Sequence, residues 1–456
     1  MCSDHQCEYW IEVVNLQAQM SQKDQRIAEL ETELAKYQGP PKDSGNSSKS
    51  PSTDQNRNRY PKREKSGKKP GGQLGHPGHN HPFTETPDKI VTCAAPEQCQ
   101  YCHSKDLSVI EGGEKQQVVD IPEPRVEVTE YRQTQVCCNT CGKVSKSQFP
   151  KGVDGHVQIG ERAQSLAVFL KAGHAVSNER IVELFSDVFG LNVSKGWVEN
   201  TLSKWAARLL PIYATILMAI IASLVVGSDE TGNHVNGQKA WTWIFQTLSL
   251  VYFKTVKSRG FKVIEETIGD VFAGTWVSDR LSAQLKLKVA FNQWCLAHII
   301  RECLYLIQSE ADMWATQLKQ VLTQAIDFRN EQGEQYDPKF HPDKIEAFET
   351  QLMDCFGLDP PKSGKGQTLF KKLRVSQDKL LRFLHDPNVP PTNNDSERPL
   401  RHTKLLQKVF GGFRTLQGVQ RYDVFLSIIQ SAKRQRLNVL DVLCGKSQLA
   451  FPALQS

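Results

Sequence analysis

Hydrophobic positions between residues 10 and 38 alternate at spacings of three and four: Val13, Leu16, Met20, Lys23, Ile27, Leu30, Leu34 and Tyr37. This is the a and d seam of a coiled coil with Lys23 as its one polar member, and it predicts self-association through residues 1–38. The pattern stops at Gly39-Pro40-Pro41. Residues 39–82 are rich in Pro, Gly, Ser and Lys, with too few apolar side chains to offset the entropy of ordering them, and predict a disordered tether. Residues 83–150 turn β-like, through Val118, Val119 and Ile121, then Val126, Val128, Tyr131 and Val136. Helical periodicity returns in residues 151–222, with Leu166, Phe169, Leu170, Ile181, Leu184 and Phe185. Asn192-Val193-Ser194 interrupts it, and Ser194 is placed to cap the helix that carries Trp197, Leu202 and Trp205. A helix, a turn and a helix fit either insertion into a DNA groove or a packed pair, and the packed pair is the commoner outcome.

From Leu224 the period changes to two. Leu224-Val225-Val226 forms a strand with Asp229 just past its end. Trp241, Trp243 and Phe245 alternate with polar or exposed partners, and Leu248, Leu250 and Tyr252 continue the pattern. A helix over 259–270 precedes a strand from Phe272 to Val277 that runs into Asp279. Residues 292–384 read as mainly helical, and residues 421–436 place Val424, Phe425, Ile428, Ile429 and Ala432 on one helix face. The expected architecture is multidomain: a coiled coil, a β module, a helical domain, and an α/β core over 223–300 and 385–440. A helical insertion over 301–384 interrupts that core, and residues 441–456 form a tail.

Composition adds three constraints. At 456 residues and 39% apolar content, the chain has room for several folded units and for an exposed segment. No apolar run approaches the roughly 18 residues of a membrane span, and Asp4, His5 and Glu8 occupy the start where a signal peptide needs a basic and then apolar run. A cytoplasmic protein is expected, so its cysteines read as metal ligands or buried thiols rather than disulfides. The net charge is +6, and residues 42–72 alone supply that excess: Lys42, Lys49, Arg57, Arg59, Lys62, Arg63, Lys65, Lys68 and Lys69 outweigh Asp43, Asp54 and Glu64. A block of this kind attracts polyanions and releases their counterions on binding.

Two constellations carry candidate chemistry. Cys99-Gln-Tyr-Cys102 and Cys138-Asn-Thr-Cys141 are paired knuckles able to present four thiolates to a structural Zn²⁺, with Cys93 and Cys137 close by in the chain. Cys99 to His103 also spells the haem-attachment string, which a second paired knuckle argues against. The other set is acidic: Asp229 and Asp279 at strand ends, and Glu397 at the capped start of a helix in Asn393-Asn394-Asp395-Ser396-Glu397-Arg398. Carboxylates on rigid neighbouring elements suit two-metal phosphoryl transfer. Cys295 and His298 have the spacing of half a zinc site, but with no second pair evident nearby they read as packing at the start of the insertion. Gly364-Lys365-Gly366 lacks the spaced upstream Gly and the following Ser or Thr of a P-loop, which disfavours an ATPase.

Several words in order along the chain resemble insertion-sequence transposases of the IS66 family, within the broader DDE class. They are Lys42-Asp43-Ser44-Gly45-Asn46-Ser47-Ser48-Lys49, Lys69-Pro70-Gly71-Gly72-Gln73-Leu74-Gly75-His76-Pro77-Gly78-His79, Asp120-Ile121-Pro122-Glu123-Pro124, Ser228-Asp229-Glu230-Thr231, Cys295-Leu296-Ala297-His298, and Asn393 through Arg401. The resemblance implies an RNase H-like core with Asp229, Asp279 and Glu397 as the D, D and E. These residues would bind two Mg²⁺ (or Mn²⁺) ions for cleavage at transposon ends and strand transfer into target DNA. It also implies a helical insertion between the second Asp and the Glu, and a basic residue after the Glu that holds end DNA. That role goes first to Lys404 and then to Arg401. Lys62, Arg63, Lys65, Lys68 and Lys69 would grip DNA from the tether. Element-encoded accessory proteins and a place on the bacterial nucleoid are further expectations. The alternatives are a catalytically silent DNA-binding regulator and a nuclease without strand transfer.

Overall fold

The computed structural model describes residues 15–27, 29–30, 81–110 and 112–454. Two compact units divide the chain: Asn58–Glu127, and Met1–Arg57 together with Val128–Ser456. In the smaller unit the described residues form neither helix nor strand. Gln117 clamps Thr84 through two hydrogen bonds, Thr84 N–H to Gln117 Oε1 (2.9 Å) and Gln117 Nε2 to the Thr84 carbonyl (2.6 Å). The β module expected over 83–150 is therefore reduced to one hairpin in the larger unit, β1 (Gln135–Cys137) against β2 (Val144–Lys146). Val118 and Ile121 are 93% and 83% exposed, so no partner strand buries their face, and Pro122 and Pro124 remove ladder donors.

In the larger unit residues 15–27 form helix α1, and residues 29–30 are also helical. The seam residues Leu16, Met20, Ile27 and Leu30 are all exposed. Val13, Leu34 and Tyr37 of the expected seam lie outside the described residues, as does the basic segment with Lys62, Arg63, Lys65, Lys68 and Lys69.

Helices α2 (Glu161–Val168), α3 (Asn178–Phe189) and α4 (Lys195–Ile221) follow, and Ser194 Oγ accepts from Trp197 N–H at 3.0 Å as the cap of α4. These helices are not a separate domain. Leu202, Trp205 and Ile216 share one core with Phe245, Trp276 and Phe425. Among the described helices α4 alone is long and apolar enough for a membrane span by length and composition, and Leu202, Trp205, Leu209, Ile216 and Ile220 on it are buried in that core.

The central sheet contains β3 (Val225–Val235), β4 (Gln238–Gln246), β5 (Val251–Val256), β6 (Val271–Ser278) and β7 (Lys288–Trp294), in the order β5-β4-β3-β6-β7. The β3–β4 and β4–β5 pairs are antiparallel, whereas β3–β6 and β6–β7 are parallel. The helix expected over 259–270 is shorter, α5 (Lys262–Thr267). Both sheet faces are covered. Trp243, Phe245 and Tyr252 pack toward α4, and Ile244, Val251 and Phe253 pack against Leu400, Leu406 and Leu426. The alternation read as apolar against exposed is thus apolar against apolar at Ile244.

The insertion comprises α6 (Leu296–Glu310), α7 (Met313–Gln332), α8 (Pro342–Cys355) and α9 (Gly364–Arg374), with a core of its own that reaches Val277 and Trp294. It begins at Leu296 rather than at residue 301. The chain then returns as α10 (Asn394–Phe410), α11 (Leu416–Arg434) and α12 (Val439–Leu443).

One edge of the sheet is sealed by side chains of α11. Val251, Phe253 and Thr255 of β5 donate their outward backbone N–H groups to Ser431 Oγ (2.9 Å), Ser427 Oγ (2.9 Å) and Asp423 Oδ2 (2.7 Å). Four helical residues rise about 6 Å and two strand residues about 6.6 Å, so an i, i+4 row keeps step with alternate strand residues. The edge is thereby closed to a foreign strand.

Full burial pushes Asp423 up to about 7, against the pull of Thr255 N–H and Oγ–H. A fold that prefers the neutral acid is most stable below the unfolded pKa of about 4; it loses stability as pH rises toward 7 and levels off above. Asp423→Asn should remove this component, because Thr255 Oγ can reverse its bond by donating to Thr242 Oγ (2.8 Å). Stability measured from pH 4.5 to 7.5 should show the variant gaining on the wild type by about 3 kcal/mol. Parallel pH profiles would show that Asp423 does not titrate between the two states.

Candidate active site

Register brings the first two acids together. Gly227 of β3 pairs in parallel with Val277 of β6, and two residues beyond each stand Asp229, still within β3, and Asp279, just past the end of β6. Asp229 lies inside β3 rather than past its end. A carboxylate oxygen of Asp229, one of Glu230 and one of Asp279 all lie within 4.8 Å of one another. Asp229 Oδ1 accepts from Glu230 N–H (2.8 Å), and Asp279 Oδ1 accepts from Leu281 N–H (2.9 Å).

Glu397 enters from α10, close enough for its charge to act on Asp229. The helix start is held by Asn393. Its Nδ2 donates to the Ser228 carbonyl (2.8 Å), its Oδ1 accepts from Ser396 Oγ (2.5 Å), and its N–H donates to Cys295 Sγ (3.1 Å). Cys295 N–H in turn donates to the Ser278 carbonyl (2.9 Å). One residue thereby ties the Glu397 helix to the positions just before Asp229 and Asp279. Gly227 allows the approach, since a Cβ there would meet Ser396 Oγ at 3.2 Å and Asn393 Oδ1 at 3.3 Å. Pro399 lacks the N–H that would pair with the Asp395 carbonyl, and Arg434 Nη2 supplies that bond at 3.0 Å.

The charges do not balance within the protein. Burial, then Glu230, Asp279 and Glu397, push Asp229 well above the ordinary carboxylate range despite the Glu230 N–H. Glu230, whose side chain is 1% exposed, is raised to about 7 by burial and by Asp279, while Arg259 (2.6 Å) and Gln284 pull it back. Crowded carboxylates with one arginine among them have the donor chemistry of a divalent-cation site.

His298 on α6 feels both Asp279 and Glu397. Burial first holds it below the usual histidine range, and its Nδ1 has no hydrogen-bond partner. The Cys295 and His298 word thus borders the acids, with Cys295 in a bracing hydrogen bond.

The basic positions separate. Lys404 Nζ donates to the Gly232 carbonyl of β3, and burial lowers its pKa. With His234, Gln407 and Lys408 it lines an open depression of about 510 Å³. Arg401 is 70% exposed at its side chain and lies 3.5 Å from Glu397.

Each cysteine pair forms a turn within its own unit. His103 N–H donates to the Cys99 carbonyl (2.9 Å), and Gly142 N–H to the Cys138 carbonyl (2.8 Å). Cys99 is lowered by hydrogen bonds from the backbone of Cys102 and Tyr101, and Cys138 by those from Cys141 and Thr140.

Sequence reasoning missed Glu230 and Asn393. Glu230 is adjacent to a chosen acid, and its strand neighbours gave no sign that it shares the cluster. In the sequence Asn393 reads only as part of a helix start.

A family model described as "Transposase IS66 family" matches residues 156–421, and one described as "Family of unknown function (DUF6444)" matches residues 4–82. No curated protein matches the chain.

Proposed function

The chain belongs to the transposase IS66 family, and from that premise we propose that it cuts the ends of an insertion sequence and joins them to target DNA. The observation that supports this reading is the meeting of Asp229, Glu230 and Asp279 carboxylate oxygens within 4.8 Å of one another, with Glu397 of α10 near enough for its charge to raise Asp229. A mixed sheet with helices on both faces, interrupted by a helical insertion before Glu397, agrees with an RNase H-like core.

Asp229, Asp279 and Glu397 are the residues that would hold a pair of Mg²⁺ or Mn²⁺ ions. Such ions, when bound, stabilise attacking and leaving oxygens and lower the pKa of a water. The chain's own part is to place the carboxylates. Asn393 fixes the Glu397 helix, Arg259 compensates Glu230, and Leu281 N–H orients Asp279. In cleavage, water adds to the phosphorus and the P–O3′ bond breaks, freeing a 3′-hydroxyl. In transfer, that hydroxyl attacks a target phosphodiester, and the target's 3′-oxygen leaves with the proton. Arg401 is exposed beside Glu397 and suits a phosphate contact; Lys404 can share it through donors not committed to Gly232. Each cysteine knuckle by itself offers two thiolates to a Zn²⁺ ion, testable by the metal content of the purified protein before and after Cys138→Ser. The exposed α1 seam would pair two protomers.

The test is nicking and joining of DNA carrying the element's own ends, in Mg²⁺ and in EDTA. Metal-dependent nicking followed by joining is expected. End binding without nicking would favour a silent regulator, and nicking without joining a simple nuclease.

A further inference from the structure

The sheet edge opposite β5 carries a row of cations that the DDE reading does not use. On β7, Trp294 pairs with Ser278, the residue before Asp279, and Phe291 pairs with Thr275, about 10 Å farther from the acids. The ammonium groups of Lys372, from α9, and Lys379 lie 5.7 and 5.3 Å from the Trp294 ring centroid. The Arg382 guanidinium lies 3.7 Å from that of Phe291. None of the three makes an ion pair among the described residues. An aromatic face holds a cation in place without neutralising it, so these charges remain available to an outside anion. The inner end of the row borders the site: Lys372 is lowered first by burial and then by Arg280, while Glu302 and Asp279 act in the opposite sense. On the same helix Lys371 and Arg374 are exposed.

We propose that Lys372, Lys379 and Arg382 seat the sugar-phosphate backbone of the DNA strand that leads to the Asp279 side of the site. This rests on the transposase reading. A line of fixed positive charges ending at an acid cluster suits a ligand with regularly repeated negative charge whose one phosphodiester is handled at that cluster. The row also offsets repulsion between the acids and the incoming strand.

The probe is a labelled 30-base-pair duplex of arbitrary sequence, because backbone contacts carry no sequence information. Its affinity is measured by fluorescence anisotropy across a KCl series, with element-end nicking in Mg²⁺ assayed in parallel. The triple variant Lys372→Gln/Lys379→Gln/Arg382→Gln should flatten the slope of log K against log salt by about 2–3. It should also weaken binding roughly tenfold or more at moderate salt. Lys372→Arg/Lys379→Arg should keep the wild-type slope. Should the triple variant lose its folded melting transition, Arg382→Gln alone must lower the slope by about one. An unchanged slope in a wild type that binds and nicks overturns the seat and leaves the transposase reading intact. A wild type that neither binds duplex nor nicks overturns both. Displacement of the duplex by polyglutamate as readily as by unlabelled DNA would exclude a nucleic-acid seat.

Discussion

Asp279→Asn should abolish metal-dependent nicking and strand transfer, with a loss of at least about 10³-fold, or roughly 4 kcal/mol in the barrier. The amide oxygen can still accept from Leu281 N–H, so the loop after β6 keeps its anchor while the charge disappears. DNA affinity should stay within about twofold, since the acid repels rather than attracts the backbone. Without metal the variant should be more stable, by about 0.5–2 kcal/mol, and so melt higher, because Asp229 and Glu230 lose a like-charged neighbour. A nicking assay with a melting curve in EDTA reads both effects. Full cleavage by the variant would remove Asp279 from the site. A lower melting point would contradict the picture of uncompensated carboxylates.

Asn393→Ala should have the second-largest effect, about 10–100-fold in the nicking rate, the usual cost of losing a group that orients a metal ligand. The truncation removes the shorter of the two side-chain donors to the Ser228 carbonyl, leaving Gln284 Nε2 at 3.3 Å, and leaves Ser396 without its acceptor, at a stability cost of about 1–3 kcal/mol. A purely structural role would move stability alone. A positioning role also raises the Mg²⁺ concentration needed for half-maximal rate in protein that is still folded. Asn393→Asp keeps the acceptor and loses the donor while adding a negative charge near Glu397, so it should be worse than Ala in rate. An unchanged metal requirement in both variants would confine Asn393 to packing.

Local chemistry was legible in the chain. Ser194 caps its helix, β4 lies where period-two alternation puts it, β6 covers the short strand read from Phe272 to Val277, and α11 carries the face read from Val424 to Ala432, because caps and periodicity depend only on near neighbours. The acids Asp229, Asp279 and Glu397 could be named from their words in the sequence. Other features were not legible because they depend on which elements meet. The apolar residues over 151–222 read as a helical domain, yet their partners Phe245, Trp276 and Phe425 lie far along the chain. Val118 and Ile121 have strand propensity and no strand to pair with, and β propensity stabilises only a paired surface. Strand β7 escaped notice because its burial comes from an edge position and not from alternation.

The sequence by itself determined the Ser194 cap, the period of β4, the paired cysteine turns and the family words, since each is set within a few residues; the side-chain cap expected at the start of α10 is not made, because Asn393 turns to the Ser228 carbonyl and Ser396 Oγ. Tertiary structure alone decided that Asp229 and Asp279 come together, that Asn393 ties the Glu397 helix to both strands, that Glu230 joins the cluster, and that the side chains of α11 close the β5 edge. Those facts follow from strand register and from the docking of helices far apart in the chain. They are fixed by the joint free energy of burying both sheet faces while pairing every edge group, a quantity that no short window of sequence contains.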